Sequence, residues 1–138
     1  MKPGFTNVKQ LFSTLATGMT LVLLAWPVAS QEPSCKISSL RGAASPAGAE
    51  GAMVVVNNGR PCEFSVYENP AQRRNPGTEG EVTMAPKHGK VELKPPRVQY
   101  TPGAGYSGED EFSVQMWTGG TKAVLLKFNF KVTVLPPG

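Results

Sequence analysis

The stretch Tyr100-Thr101-Pro102-Gly103-Ala104-Gly105-Tyr106-Ser107-Gly108-Glu109-Asp110-Glu111-Phe112-Ser113-Val114 reads as a strand, a glycine-rich corner and a second strand. Gly105 and Gly108 permit backbone conformations that other residues avoid, and Pro102 has no N–H to continue a ladder. The ring of Tyr106 is expected to cover the corner while its hydroxyl bonds a backbone group. Asp110 is expected to accept backbone N–H groups across the turn. Such chemistry specifies a β-rich scaffold without naming a ligand, because function belongs to sites placed on a fold.

Strand signals continue on both sides of the corner. Phe112, Val114 and Met116 alternate with polar residues, as do Val124, Leu126, Phe128, Phe130, Val132 and Val134, the period of strands with one wet face. Gly119-Gly120 between the two runs predicts an antiparallel hairpin. Asn57-Asn58-Gly59-Arg60-Pro61 predicts another between Met53–Val56 and Cys62–Tyr67. Pro86-Lys87-His88-Gly89 similarly separates Val82 and Met84 from Val91 and Leu93, and Pro95-Pro96 interrupts before Val98 and Tyr100. With Lys36–Leu40 as a first strand, the sequence predicts an all-β, antiparallel sandwich of about seven or eight strands. The 13 prolines and 15 glycines leave no window with a helical apolar stripe. Arg41–Glu50 and Asn69–Gly80 read as surface loops.

At the N-terminus, Lys2 and Lys9 precede an apolar run from Leu11 to Trp26, followed by Pro27-Val28-Ala29-Ser30. This is the layout of a cleaved signal peptide over residues 1–30. Ser13, Thr14, Thr17, Gly18 and Thr20 dilute the run below the roughly 20 apolar residues of a membrane span, so no stable membrane insertion is expected after cleavage. Cys35 lies beyond a polar segment and is poorly placed for lipidation. Residues 31–138 then form one domain of roughly 110 residues, enough for a single core. The formal charge of +4 falls when Lys2 and Lys9 leave, and the nearly balanced remainder does not suggest nucleic acid. Cys35 and Cys62 are the 2 cysteines of the chain, and an even pair on an exported chain predicts a disulfide. The expected location is the periplasm or the cell exterior.

From Ala85 to Val134 the chain resembles the bacterial Ig-like and cadherin-like repeats of secreted adhesins. The resemblance is carried by Pro86, His88-Gly89, Tyr100-Thr101-Pro102 and the corner from Gly105 to Phe112. It covers about half of the exported domain and implies a binding or spacer module, here in a single copy. Cadherin-like repeats often hold calcium, and Glu109-Asp110-Glu111 is the dense acidic cluster of the chain. Successive strand residues point to opposite faces, so three neighbours do not converge on one ion, and no metal or cofactor is expected.

Catalytic patterns are weak. His88 is the 1 histidine and has no companion ligands at metal spacing. Ser107, His88 and Asp110 could be imagined as a triad, but no nucleophile-elbow sequence accompanies them. Met53, Met84 and Met116 fall at apolar positions and are expected in the core rather than on copper. Candidate binding residues are Arg73 and Arg74, as contacts for an anion on a loop, and Trp117, as an exposed aromatic platform for a sugar or peptide. Lys122–Leu135 is long enough to be an edge strand available for pairing. The function expected is a non-catalytic interaction module whose partner is a protein or glycan of the cell envelope. A structural part of an envelope assembly that uses an edge strand is the nearer alternative, and a small secreted hydrolase the distant one.

Overall fold

The structure is a computed structural model that describes residue 25 and residues 34–119 and 123–138. The chain divides into the units Met1–Gln31 and Glu32–Gly138, and the fold below is that of the second. The signal peptide expected over residues 1–30, like Gly120 and Lys122, lies outside the described residues, Ala25 apart.

The described residues form nine strands and no helix: β1 (Cys35–Ile37), β2 (Ala49–Val56), β3 (Cys62–Ser65), β4 (Tyr67–Asn69), β5 (Arg74–Met84), β6 (Gly89–Lys94), β7 (Arg97–Pro102), β8 (Gly108–Thr118) and β9 (Leu125–Leu135). They make one six-stranded sheet in the order β1-β2-β9-β8-β5-β4 and one three-stranded sheet in the order β3-β7-β6. The alternation read from the sequence sets the two long central strands. Phe112, Val114 and Met116 on β8, and Leu126, Phe128, Phe130, Val132 and Val134 on β9, are all buried. β8 and β9 are antiparallel with Phe112 opposite Phe130.

Partnerships differ from those expected in four places. β2 runs parallel to β9, with Ala49 opposite Phe128, so the larger sheet is mixed rather than antiparallel. The Asn57–Pro61 segment does not close a hairpin, because β2 and β3 lie in different sheets. The same holds for Pro86–Gly89 between β5 and β6. β9 is flanked by β2 and β8 and is therefore an interior strand, not an edge. The reason is common to all four: a period of two assigns a strand's faces but not its neighbours.

Two loop boundaries also move. Ala49 and Glu50 belong to β2, and β5 already begins at Arg74, although its polar and glycine-rich first half carries no alternation. Val66 explains how β5 is recruited: its N–H donates to Pro96 O in the smaller sheet, while its carbonyl accepts from Gly77 N in the larger one. The chain thereby steps between sheets, and β4 folds back on β5. Met84 departs from the core position expected for it. Register shifts lie between Gly77 and Glu79 and between Val82 and Met84. The second puts Met84 opposite Ser113 and leaves it 41% exposed, because a bulge reverses the parity of everything after it.

The core joins both sheets through aromatic rings. Tyr100 of β7 stacks on Phe112 of β8 at 5.5 Å between centroids, and Phe112 on Phe130 of β9 at 5.0 Å. Phe64 of β3 meets Phe130 at 5.0 Å and Phe128 edge-on at 5.8 Å. Each such pair stabilises by about 0.5–1.5 kcal/mol beyond its buried area. The predicted disulfide is present: Cys35 on β1 is bonded to Cys62 on β3, with Cα atoms 5.4 Å apart. It links the edges of the two sheets.

Candidate functional site

Strand register places distinct chemistry at the two ends of this scaffold. At one end the Pro102–Ser107 corner joins β7 to β8. Gly105 and Gly108 take φ of 73° and 135°, as their positions require. Asp110 is buried and fully engaged. Its Oδ1 accepts from Lys87 N at 3.0 Å and Glu111 N at 2.9 Å, and its Oδ2 accepts from His88 N at 3.1 Å and the Tyr100 hydroxyl at 2.8 Å. Two of the four donors come from the Pro86–Gly89 turn and none from the Pro102–Ser107 corner itself. Asp110 thus ties β7, β8 and that turn to one carboxylate. Burial first, then the Asp110 hydrogen bond and charge, hold the Tyr100 hydroxyl well above its ordinary range.

The Tyr106 hydroxyl donates to Glu109 O at 2.5 Å, and its ring stacks on His88 at 4.2 Å. Asn57, whose role the sequence reading missed, is buried and donates from Nδ2 to Gly103 O at 2.8 Å and Tyr106 O at 2.9 Å. It braces the corner from the β2 side. Ser107, His88 and Asp110 are not arranged as a triad, because Asp110 bonds the His88 backbone and the His88 ring stacks on Tyr106. Among the described residues no group of three or more His, Cys, Asp or Glu side chains is disposed to hold a metal ion. Asp110 has in any case spent its oxygens on four donors. This end is architecture.

The opposite end gathers the Arg41–Gly48 loop, the tip between β4 and β5, and the β8–β9 connection. The loop is fastened to β9 by Lys127 N to Ala43 O at 2.8 Å and Asn129 Nδ2 to Ala47 O at 3.2 Å. Between this loop and the β3–β4 segment runs an open groove of about 430 Å³. Leu40, Ala43, Phe64, Val66, Leu126 and Phe128 supply its apolar lining, and Ser38, Ser65, Tyr67 and Glu68 its polar one. A few polar groups around an apolar concavity are the usual make-up of a recognition site. The signal was present in the sequence only as Phe64 and Tyr67 at the end of a short strand.

The residues expected to bind divide between two places. Arg73 stands at the β4–β5 tip with its guanidinium carbon 5.7 Å from the centroid of Tyr67, a groove residue, without itself lining the groove. Its φ of 52° is a left-handed conformation that costs about 1–2 kcal/mol in a residue with a Cβ, whereas Asn75, at 53°, is of the type that tolerates it. Asn75 is held by a 2.9 Å bond from its Nδ2 to Glu68 Oε2. Arg74 is exposed and pairs with Asn69 in the β4–β5 ladder. Trp117 is 43% exposed on the outer face of β8, opposite Glu79, and does not line the groove.

No family model matches the chain, and no curated protein matches it. The site therefore speaks through its own chemistry. Among the described residues no helix is long and apolar enough to cross a membrane, and the disulfide is the chemistry of an oxidising, non-cytoplasmic compartment.

Proposed function

We propose that this chain is an exported, non-catalytic interaction module with an Ig-like sandwich fold, which holds a protein or glycan of the cell envelope in the groove at its loop end. The observation that carries the reading is the groove itself, apolar along Leu40, Phe64 and Phe128 and polar along Ser38, Ser65 and Glu68. Two further features favour it. Arg73, left-handed at φ 52°, stands against the groove residue Tyr67, and backbone strain of this kind concentrates at ligand-contacting segments. The carboxylate that a hydrolytic site would need, Asp110, is committed to four structural donors.

The Ig-like reading draws support from the sheet orders. The orders β3-β7-β6 and β9-β8-β5 each join a sequence-consecutive pair to a strand from earlier in the chain, as the two sheets of immunoglobulin-type domains do. Export to the periplasm or cell exterior draws support from the disulfide.

The test is capture of partners from the envelope fraction with the tagged, oxidised chain, compared with Ala44→Arg. Ala44 is exposed and lines the groove, so the substitution obstructs it without disturbing the core. A partner retained by the parent chain and lost by Ala44→Arg supports the groove; a partner indifferent to it refutes this placement.

A second reading, a structural part of an envelope assembly, is favoured by one observation. Beyond Pro76 no strand among the described residues pairs with the outer side of β5, where Val82 and Met84 are 36% and 41% exposed. Insensitivity to Ala44→Arg together with loss of the partner on Val82→Lys would favour that edge.

A further inference from the structure

We propose that Trp117, with Glu79 and Glu81 beside it, binds an organic cation through a primary or quaternary ammonium group. This inference does not rest on the groove.

The β5–β8 register sets Glu79 opposite Trp117 and Glu81 opposite Gln115. On its other side Trp117 lies opposite Leu125. Glu79, Gly80, Glu81, Gln115 and Trp117 line a depression of about 140 Å³, the scale of one small headgroup. The bulge between Gly77 and Glu79 brings Glu79 to the same outer face as the indole. An indole face and a carboxylate attract the same ligand by different means, the ring through its quadrupole and the acid through its charge.

The polarity of the depression decides the ligand class. Among the described residues neither glutamate has an ion-pair partner within 4.0 Å; the pairs present are those of Glu92 with Lys90 and Lys94 on β6. Among the described residues the lysine nearest by register is Lys127, which lies beside Gln115 rather than Trp117 and reaches Pro46 O at 3.4 Å. The row Glu79–Trp117–Leu125 contains no cation. The Gln115 amide donates one of its two N–H groups to Glu81 Oε1, which orients that carboxylate. What remains among the described residues is two carboxylates with no cation beside a π face, with the indole N–H and the second Gln115 N–H as the side-chain donors. A neutral sugar would leave the charge of Glu79 and Glu81 uncompensated, whereas an ammonium group, primary or quaternary, neutralises it and meets the ring face. Leu125 extends the indole with apolar surface for the methyl or methylene groups such a cation carries.

Trp117 reports its own occupancy. The chain has 2 tryptophans, so full-length protein carrying Trp26→Phe retains a single indole. Choline and an acetylated, amidated lysine are titrated at low ionic strength while emission is followed, with the neutral tert-butyl analogue of choline and with cellobiose as controls. The expected result is a saturable change with the cations and none with either control. Affinity should fall about tenfold or more in Glu79→Gln/Glu81→Gln, whose urea midpoint should match the parent, and should weaken with added salt. Tighter binding of choline identifies a quaternary group and tighter binding of the lysine derivative a primary one; both affirm the site. Equal saturation by the neutral analogue, saturation by cellobiose alone, or no saturable change with either cation overturns it.

Discussion

Asp110 shows how one short side chain decides a corner. Four donors from three separate segments converge on it, and the Tyr100 hydroxyl is the one among them that can be removed without touching the backbone. Tyr100→Phe is expected to cost about 1–3 kcal/mol, measured as a lower urea midpoint, because a buried acceptor loses its partner while the ring stack survives. The same hydroxyl gives the fold an alkaline limit. Its folded pKa is raised above the ordinary value of 10.0, so the unfolded chain releases this proton first. The contribution is whole below about pH 10 and drains away as pH rises beyond it. Tyr100→Phe should therefore lose less stability than the parent between neutral pH and about pH 11. The importance of Asp110 was legible in the sequence from its place after two glycines. Its partners were not, since Lys87 and His88 come to it through a turn more than twenty residues earlier.

Among the elements, β8 and β9 were readable in detail and β5 was not, for a physical reason. Burial on one face writes a period of two into residues 112–116 and 124–134, whereas Gly77, Gly80 and two register shifts erase that period from β5. Parity then failed at Met84, and the pairings of β2, β3, β5 and β6 had no local signal at all. The groove was hidden for the same reason: Leu40, Phe64 and Phe128 belong to three different strands or loops, and only the assembled sheets bring them to one concavity. The β6–β7 hairpin offers a sharp test of packing between elements. A Cβ on Gly89 would lie 2.7 Å from Tyr100 Cε2 and 2.8 Å from Thr101 O, and Tyr100 is held by its stack and its hydrogen bond. Gly89→Ala is expected to destabilise by about 1–3 kcal/mol, seen as a lowered melting temperature without loss of the disulfide.

At the scale of the whole molecule, the two sheets are fastened by a shared aromatic core and by a covalent bond between their edges. Cys35 and Cys62 are separated by 27 positions, and closing such a loop stabilises by on the order of 3 kcal/mol in the chain-entropy view. Reduction, or Cys35→Ser/Cys62→Ser, should lower the unfolding free energy by that amount, read as a lower urea midpoint; an unchanged midpoint would mean that the core alone fixes the two edges. A different consequence follows from the place of β9. It stands between β2 and β8 yet succeeds every other described strand along the chain, so the larger sheet lacks its middle until residues 125–135 are available. A ribosome-bound nascent chain lacking that segment has two long strands waiting for the same absent neighbour, and should stay open to protease until the segment emerges. Late closure of this kind keeps a polypeptide threadable, and it suits one that must pass through a narrow pore before its cysteines meet an oxidant.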